Sequence, residues 1–100
     1  IDVDCTQNPA TTTTGIRIIH DRVGSNMEVI LDIFDMAGRH LLQHTEHGTP
    51  VDNSYIINWD LCVDGGRRLN TGVYLYRVRI SSNGSGQTSK AKKIIILSNK

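Results

Sequence analysis

Apolar and polar residues alternate one by one along most of this chain, and Gly and Asn break the alternation at short intervals. A period of two sends successive side chains to opposite faces of an extended backbone, so the pattern calls for strands. The stretch "NTGVYLYRVRI" (70–80) is the clearest case. It predicts one face of Tyr74, Tyr76, Val78 and Ile80 and another of Val73, Leu75, Arg77 and Arg79. The first set is the better core face, with Trp59 as a neighbour. No segment carries an apolar stripe at helical spacing between capping residues, so little or no helix is expected.

The other strands follow in the same way. "GIRIIHDR" puts Ile16 and Ile18 on one face, and "MEVILDIFDM" does the same with Val29, Leu31 and Ile33. "DMAGR" reads as a tight turn in which Asp35 bonds forward to the backbone and Gly38 takes a positive φ. "RHLLQHTEH" returns, "SYIINWDL" is a short strand, and "NGSGQ" is the loop of a final hairpin before "TSKAKKIIIL". With the lead-in "IDVDC", about seven short strands emerge. Their layout predicts an all-β, immunoglobulin-like antiparallel sandwich. A buried Tyr74 hydroxyl needs a partner and is expected to find it in a nearby loop backbone, as in a tyrosine corner. Residues 1–14, with "NPATTTT", read as a lead-in strand and linker, and 15–100 as the domain. One hundred residues suit a single domain with one modest core. The opening "IDVDC" suggests a piece of a longer protein.

Charge is unevenly placed. Up to Asp64 there are ten acids against Arg17, Arg22 and Arg39, a balance of −7; from Gly65 onward there are eight bases and no acid. Cross-strand neutralisation in the fold is the favoured explanation, with Glu28 and Asp32 as partners for Arg77 and Arg79. Exposed pairs of that kind are worth about 0–1 kcal/mol each. The alternative is a basic docking face of Arg77, Arg79, Lys90, Lys92 and Lys93 for an anionic partner such as phosphate or lipopolysaccharide. Full pairing of Arg77 and Arg79 would make the stretch architecture; unpaired guanidiniums beside Lys93 would make it a docking face. No nucleic-acid motif accompanies the bases, and the longest apolar run, "IIIL", is far too short to span a membrane.

No catalytic constellation emerges. His20, His40, His44 and His47 are expected as solvent-facing imidazoles, with His40 and His44 on one face of their strand and His47 on the other. Cys62 lacks any nucleophile signature, the aspartates lack calcium-loop spacing, and neither "GSGQ" nor "DGGRR" opens a helix as a phosphate loop would. Cys5 and Cys62 are expected as two separate thiols. Were the domain exported and the two paired, so long a loop would gain about 4 kcal/mol. No metal, cofactor or enzyme activity is expected of this domain.

Three stretches in order, "NPATTTTGIRI", "VILDIFDMAGRHL" and "INWDLCVDGGRRLNTGVYLYRVRI" with "SKAKKIIIL", carry a family resemblance. The chain resembles the C-terminal sorting domains of type IX secretion in Bacteroidetes, similar in turn to the immunoglobulin-like domain of the flagellar hook-capping protein. Within that group it looks most like the C-terminal domain of the gingipain-like type IX sortase. The pattern residues are Asp35, Gly38, Arg39, Trp59, Asp60, Gly72 and Tyr74. The resemblance implies a non-catalytic sorting or anchoring module of a secreted or outer-membrane protein, placed between periplasm and cell surface. Its implied partners are an outer-membrane secretion or anchoring protein and its own upstream catalytic domain, contacted through the last two strands. A passive spacer or a carbohydrate-binding accessory domain is the alternative.

Overall fold

The computed structural model describes residues 1–97 and contains strands but no helix among them. The strands are β1 (Asp2–Cys5), β2 (Thr14–Ile19), β3 (Met27–Phe34), β4 (His40–Gly48), β5 (Ser54–Trp59), β6 (Gly72–Ser82), β7 (Ser85–Thr88) and β8 (Lys92–Ile96). Two antiparallel sheets form, one ordered β1-β2-β5 and the other β4-β3-β6, with β7 and β8 both on the far side of β6. This is the immunoglobulin-like sandwich that the alternation predicts. Ile16, Ile18 and Ile57 from the smaller sheet meet Val29, Leu31, Ile33, Val78, Ile80, Ile94 and Ile96 from the larger one, all buried.

The eighth strand arises from a bulge. Arg79 faces Thr88, while Tyr76 faces Lys92, so three residues of the returning strand oppose two of β6. The extra residue breaks one predicted strand into β7 and β8. The Ser89 side chain repairs the ladder there: its Oγ accepts the Val78 N–H at 3.0 Å, while its own N–H donates to the Val78 carbonyl at 2.8 Å. The predicted loop "NGSGQ" contracts to a turn at Asn83–Gly84, both with positive φ, and β7 starts at Ser85.

A second bulge lies at the edge of the larger sheet. Ile33 faces Leu42 but Phe34 faces His40, leaving Leu41 without a counterpart on β3. The slip reverses the alternation between His40 and the rest of β4. His40 therefore shares the outer face with Asp32 and His47, and His44 lies on the opposite face, contrary to the spacing-based expectation.

The stretch 1–14 is tied to both sheets. β1 pairs with β2; the chain then crosses over, and Ala10 forms a parallel bridge with Ile96. The Ala10 N–H donates to Ile95 O at 2.8 Å, and the Leu97 N–H donates to Ala10 O at 2.9 Å. Asn8 bonds the β8 backbone through both ends of its amide. The segment expected as a linker thus covers part of the open edge of β8. Of the domain expected at 15–100, residues 98–100 lie outside the described part.

Candidate functional site

The outer face of the larger sheet gathers the charged residues that the sequence singles out. Asp32 lies mid-strand on β3, directly opposite Arg77 on β6. Arg79 chelates its carboxylate, with Nε 2.9 Å from Oδ2 and one Nη 3.1 Å from Oδ1. Arg77 adds a bond of 3.0 Å to Oδ2, and the His40 ring, brought to this face by the Leu41 bulge, adds one of 2.9 Å to Oδ1. Arg77 also stacks on the Phe34 ring, 5.1 Å from its centroid. These covers leave Asp32 fully buried, which corrects the expectation of an exposed pair. Burial pushes the carboxyl pKa up, but bonds from Arg79, Arg77 and His40 outweigh it and hold the pKa below the usual range. Glu28 pairs instead with His47 at 3.4 Å.

Arg77 and Arg79 are therefore both paired with Asp32, as cross-strand neutralisation predicts, although Arg77 binds it through one Nη only and its buried Nε has no hydrogen-bond partner. The remaining bases scatter. Lys92 points to the other side of β8, where its ammonium donates to the Val3 carbonyl at 2.6 Å. Lys90 is exposed at the bulge, and only Lys93 shares the outer face with the two arginines. Five bases do not make one face.

Each pattern residue has a local structural task. Asp35 Oδ1 accepts the N–H groups of Ala37 and Arg39, and Oδ2 binds Arg39 Nε at 2.7 Å. Gly38 closes that turn at φ 89°. Trp59 is buried and its indole N–H donates to Cys62 O at 2.9 Å. Asp60 accepts the Cys62 N–H, so the chain turns with Leu61 at φ 66°. The Tyr74 hydroxyl donates to Asn70 O at 2.8 Å, the predicted tyrosine corner. Gly72 opens β6 beside the Tyr74 ring.

The candidates for chemistry come to rest elsewhere. Cys5 and Cys62 are free thiols, and no group of metal-ligating side chains gathers among the described residues. His20 is buried, unlike the exposed imidazole expected, with Nδ1 accepting the Arg22 N–H. On the sandwich flank, His44 bonds Glu46 at 2.8 Å, and Glu46 accepts the Tyr55 hydroxyl at 2.6 Å. Burial and then Glu46 push the Tyr55 pKa up to about 12. A groove of about 780 Å³, lined by His44, Ile56, Trp59 and Cys62 among others, runs beside this link. Sequence reasoning missed that link because β4 and β5 belong to different sheets.

No family model and no curated protein matches the chain. A solved structure does. Over 98% of its length the chain superposes on dimeric latent PorU from Porphyromonas gingivalis, with a TM-score of 0.86 and 32% sequence identity. The likeness is to part of PorU. The chain spans 9% of that protein's length.

Proposed function

We propose that this domain is a non-catalytic C-terminal sorting or anchoring module of a secreted or outer-membrane Bacteroidetes protein, with a gingipain-like cysteine peptidase of the type IX sortase kind as its parent. The observation that carries the reading is the likeness to PorU over 98% of the chain at 32% identity. It agrees with the family resemblance in the sequence. The mechanism is non-covalent recognition: the folded sandwich presents the outer surface of its last strands to an envelope protein. All five of its aromatic residues are buried or half-buried, which weighs against a carbohydrate platform.

Fusion of residues 1–100 to a periplasmic reporter in a type IX-competent cell tests the proposal. Delivery of the reporter to the cell surface is expected. A reporter that stays periplasmic and associates with no envelope protein refutes it.

A further inference from the structure

The outer face of β6 and β8 exposes a continuous apolar strip beside the arginine cluster. Val73 and Ile95 face each other across the strands, and Leu75 faces Lys93. Val73, Ile95 and Leu97 are 40%, 41% and 42% exposed. Single exposed aliphatics are ordinary on a soluble protein, but a contiguous group on one sheet face points to a contact surface. The Asp32 cluster borders it. There Arg77 and Arg79 share one carboxylate, so with Lys93 the border carries a positive excess, and bonding to Asp32 holds the two guanidinium groups in place.

We infer that this strip is a docking surface for a partner protein that presents an apolar patch with an acidic rim. The inference rests on the sorting reading and deepens it by naming the surface and the partner's chemistry. Charge argues against a second copy as the occupant. A second copy of this face brings the same positive excess rather than an acidic rim. Side-chain type argues against a membrane. Interfacial insertion relies on Trp and Tyr, and this face carries neither; its Phe34 lies under the Arg77 guanidinium. Positioned guanidinium groups beside an aliphatic centre suit a protein interface.

The test uses the reporter fusion with three variants. Val73→Ser/Ile95→Ser removes the strip's centre, Lys93→Glu reverses its exposed charge, and Ile56→Ser, on the smaller sheet, is the control. Circular dichroism and melting establish that each variant folds. Surface delivery is expected to fall about tenfold or more in the first two, the equivalent of about 1.4 kcal/mol of binding, and to hold in the control. Equal delivery by all variants overturns the inference while leaving the sorting reading intact. If the unaltered fusion itself is not delivered, the sorting reading fails. A photo-crosslinker at Ile95 then judges the strip alone: a salt-sensitive adduct with one acidic protein, absent in Lys93→Glu, supports it. An adduct with lipid, with a second copy of the domain, or with nothing overturns it.

Discussion

Replacing Asp32 by Asn keeps its shape and removes its charge, and the cost can be worked from the cluster. Four hydrogen bonds converge on this one carboxylate, two from Arg79 and one each from Arg77 and His40. Breaking a buried ion pair by removing one partner costs about 3–5 kcal/mol. Here the arginine side chains are 35% and 38% exposed, so water can take up part of what they lose. That lowers the expected cost to about 2–3 kcal/mol. For a domain of this size the melting midpoint should fall by roughly 10–20 °C. Urea unfolding followed by Trp59 fluorescence measures the difference, since Trp59 is the chain's single, buried tryptophan. The effect should depend on pH. The native carboxyl pKa is lowered, so on acidification the unfolded chain takes up the proton first. The advantage of Asp32 over Asn is therefore complete above the unfolded value near 3.8 and disappears as pH falls through the native one. A variant carrying Asp32→Leu with Arg77→Val and Arg79→Val should regain most of the loss. If Asp32→Asn lies within about 0.5 kcal/mol of the parent at pH 7, the cluster is only a surface pair and the reasoning fails.

Three further outcomes are expected. Tyr74→Phe removes the bond to Asn70 O and should cost about 1 kcal/mol in urea unfolding with the strand pairing unchanged. Asp35→Ala leaves the Ala37 and Arg39 N–H groups without their acceptor and should cost about 1–2 kcal/mol, with amide exchange faster at Ala37 and Arg39. In an ultraviolet titration Tyr55 should ionise near pH 12, and Glu46→Gln should bring it down. Because the native phenol holds its proton more tightly than the unfolded one, its contribution to stability is present below pH 10 and is lost as pH rises toward 12.

Faces and turns were legible in the sequence because each is set within a few residues. The alternation of β6 assigned Tyr76, Val78 and Ile80 to the core, and "DMAGR" announced its Asp35-capped turn. The bulges were not legible. Leu41 and the stretch at Ser89–Lys90 follow no local rule, since an extra residue is tolerated only where the partner strand and its hydrogen bonds accept it. One such slip moved His40 across the sheet and completed the cover of Asp32. The role of Asn8 and Ala10 was hidden for a related reason: their partners lie 85 or more residues away. The apolar strip joins β6 to β8, and its membership depends on a register that the bulge shifts by one.

The parallel contact between Ala10 and Ile96 has a mechanical consequence. Parallel strands at the two ends of a chain run toward opposite poles when those ends are pulled apart. Tension between the lead-in segment and the C-terminal end then acts along these strands, across bonds that must slide together rather than open one after another. The same crossing from β1 to β8 makes one continuous segment load both sheets at once. Tension carried between these two segments would therefore load the Ala10–Ile96 bonds in shear.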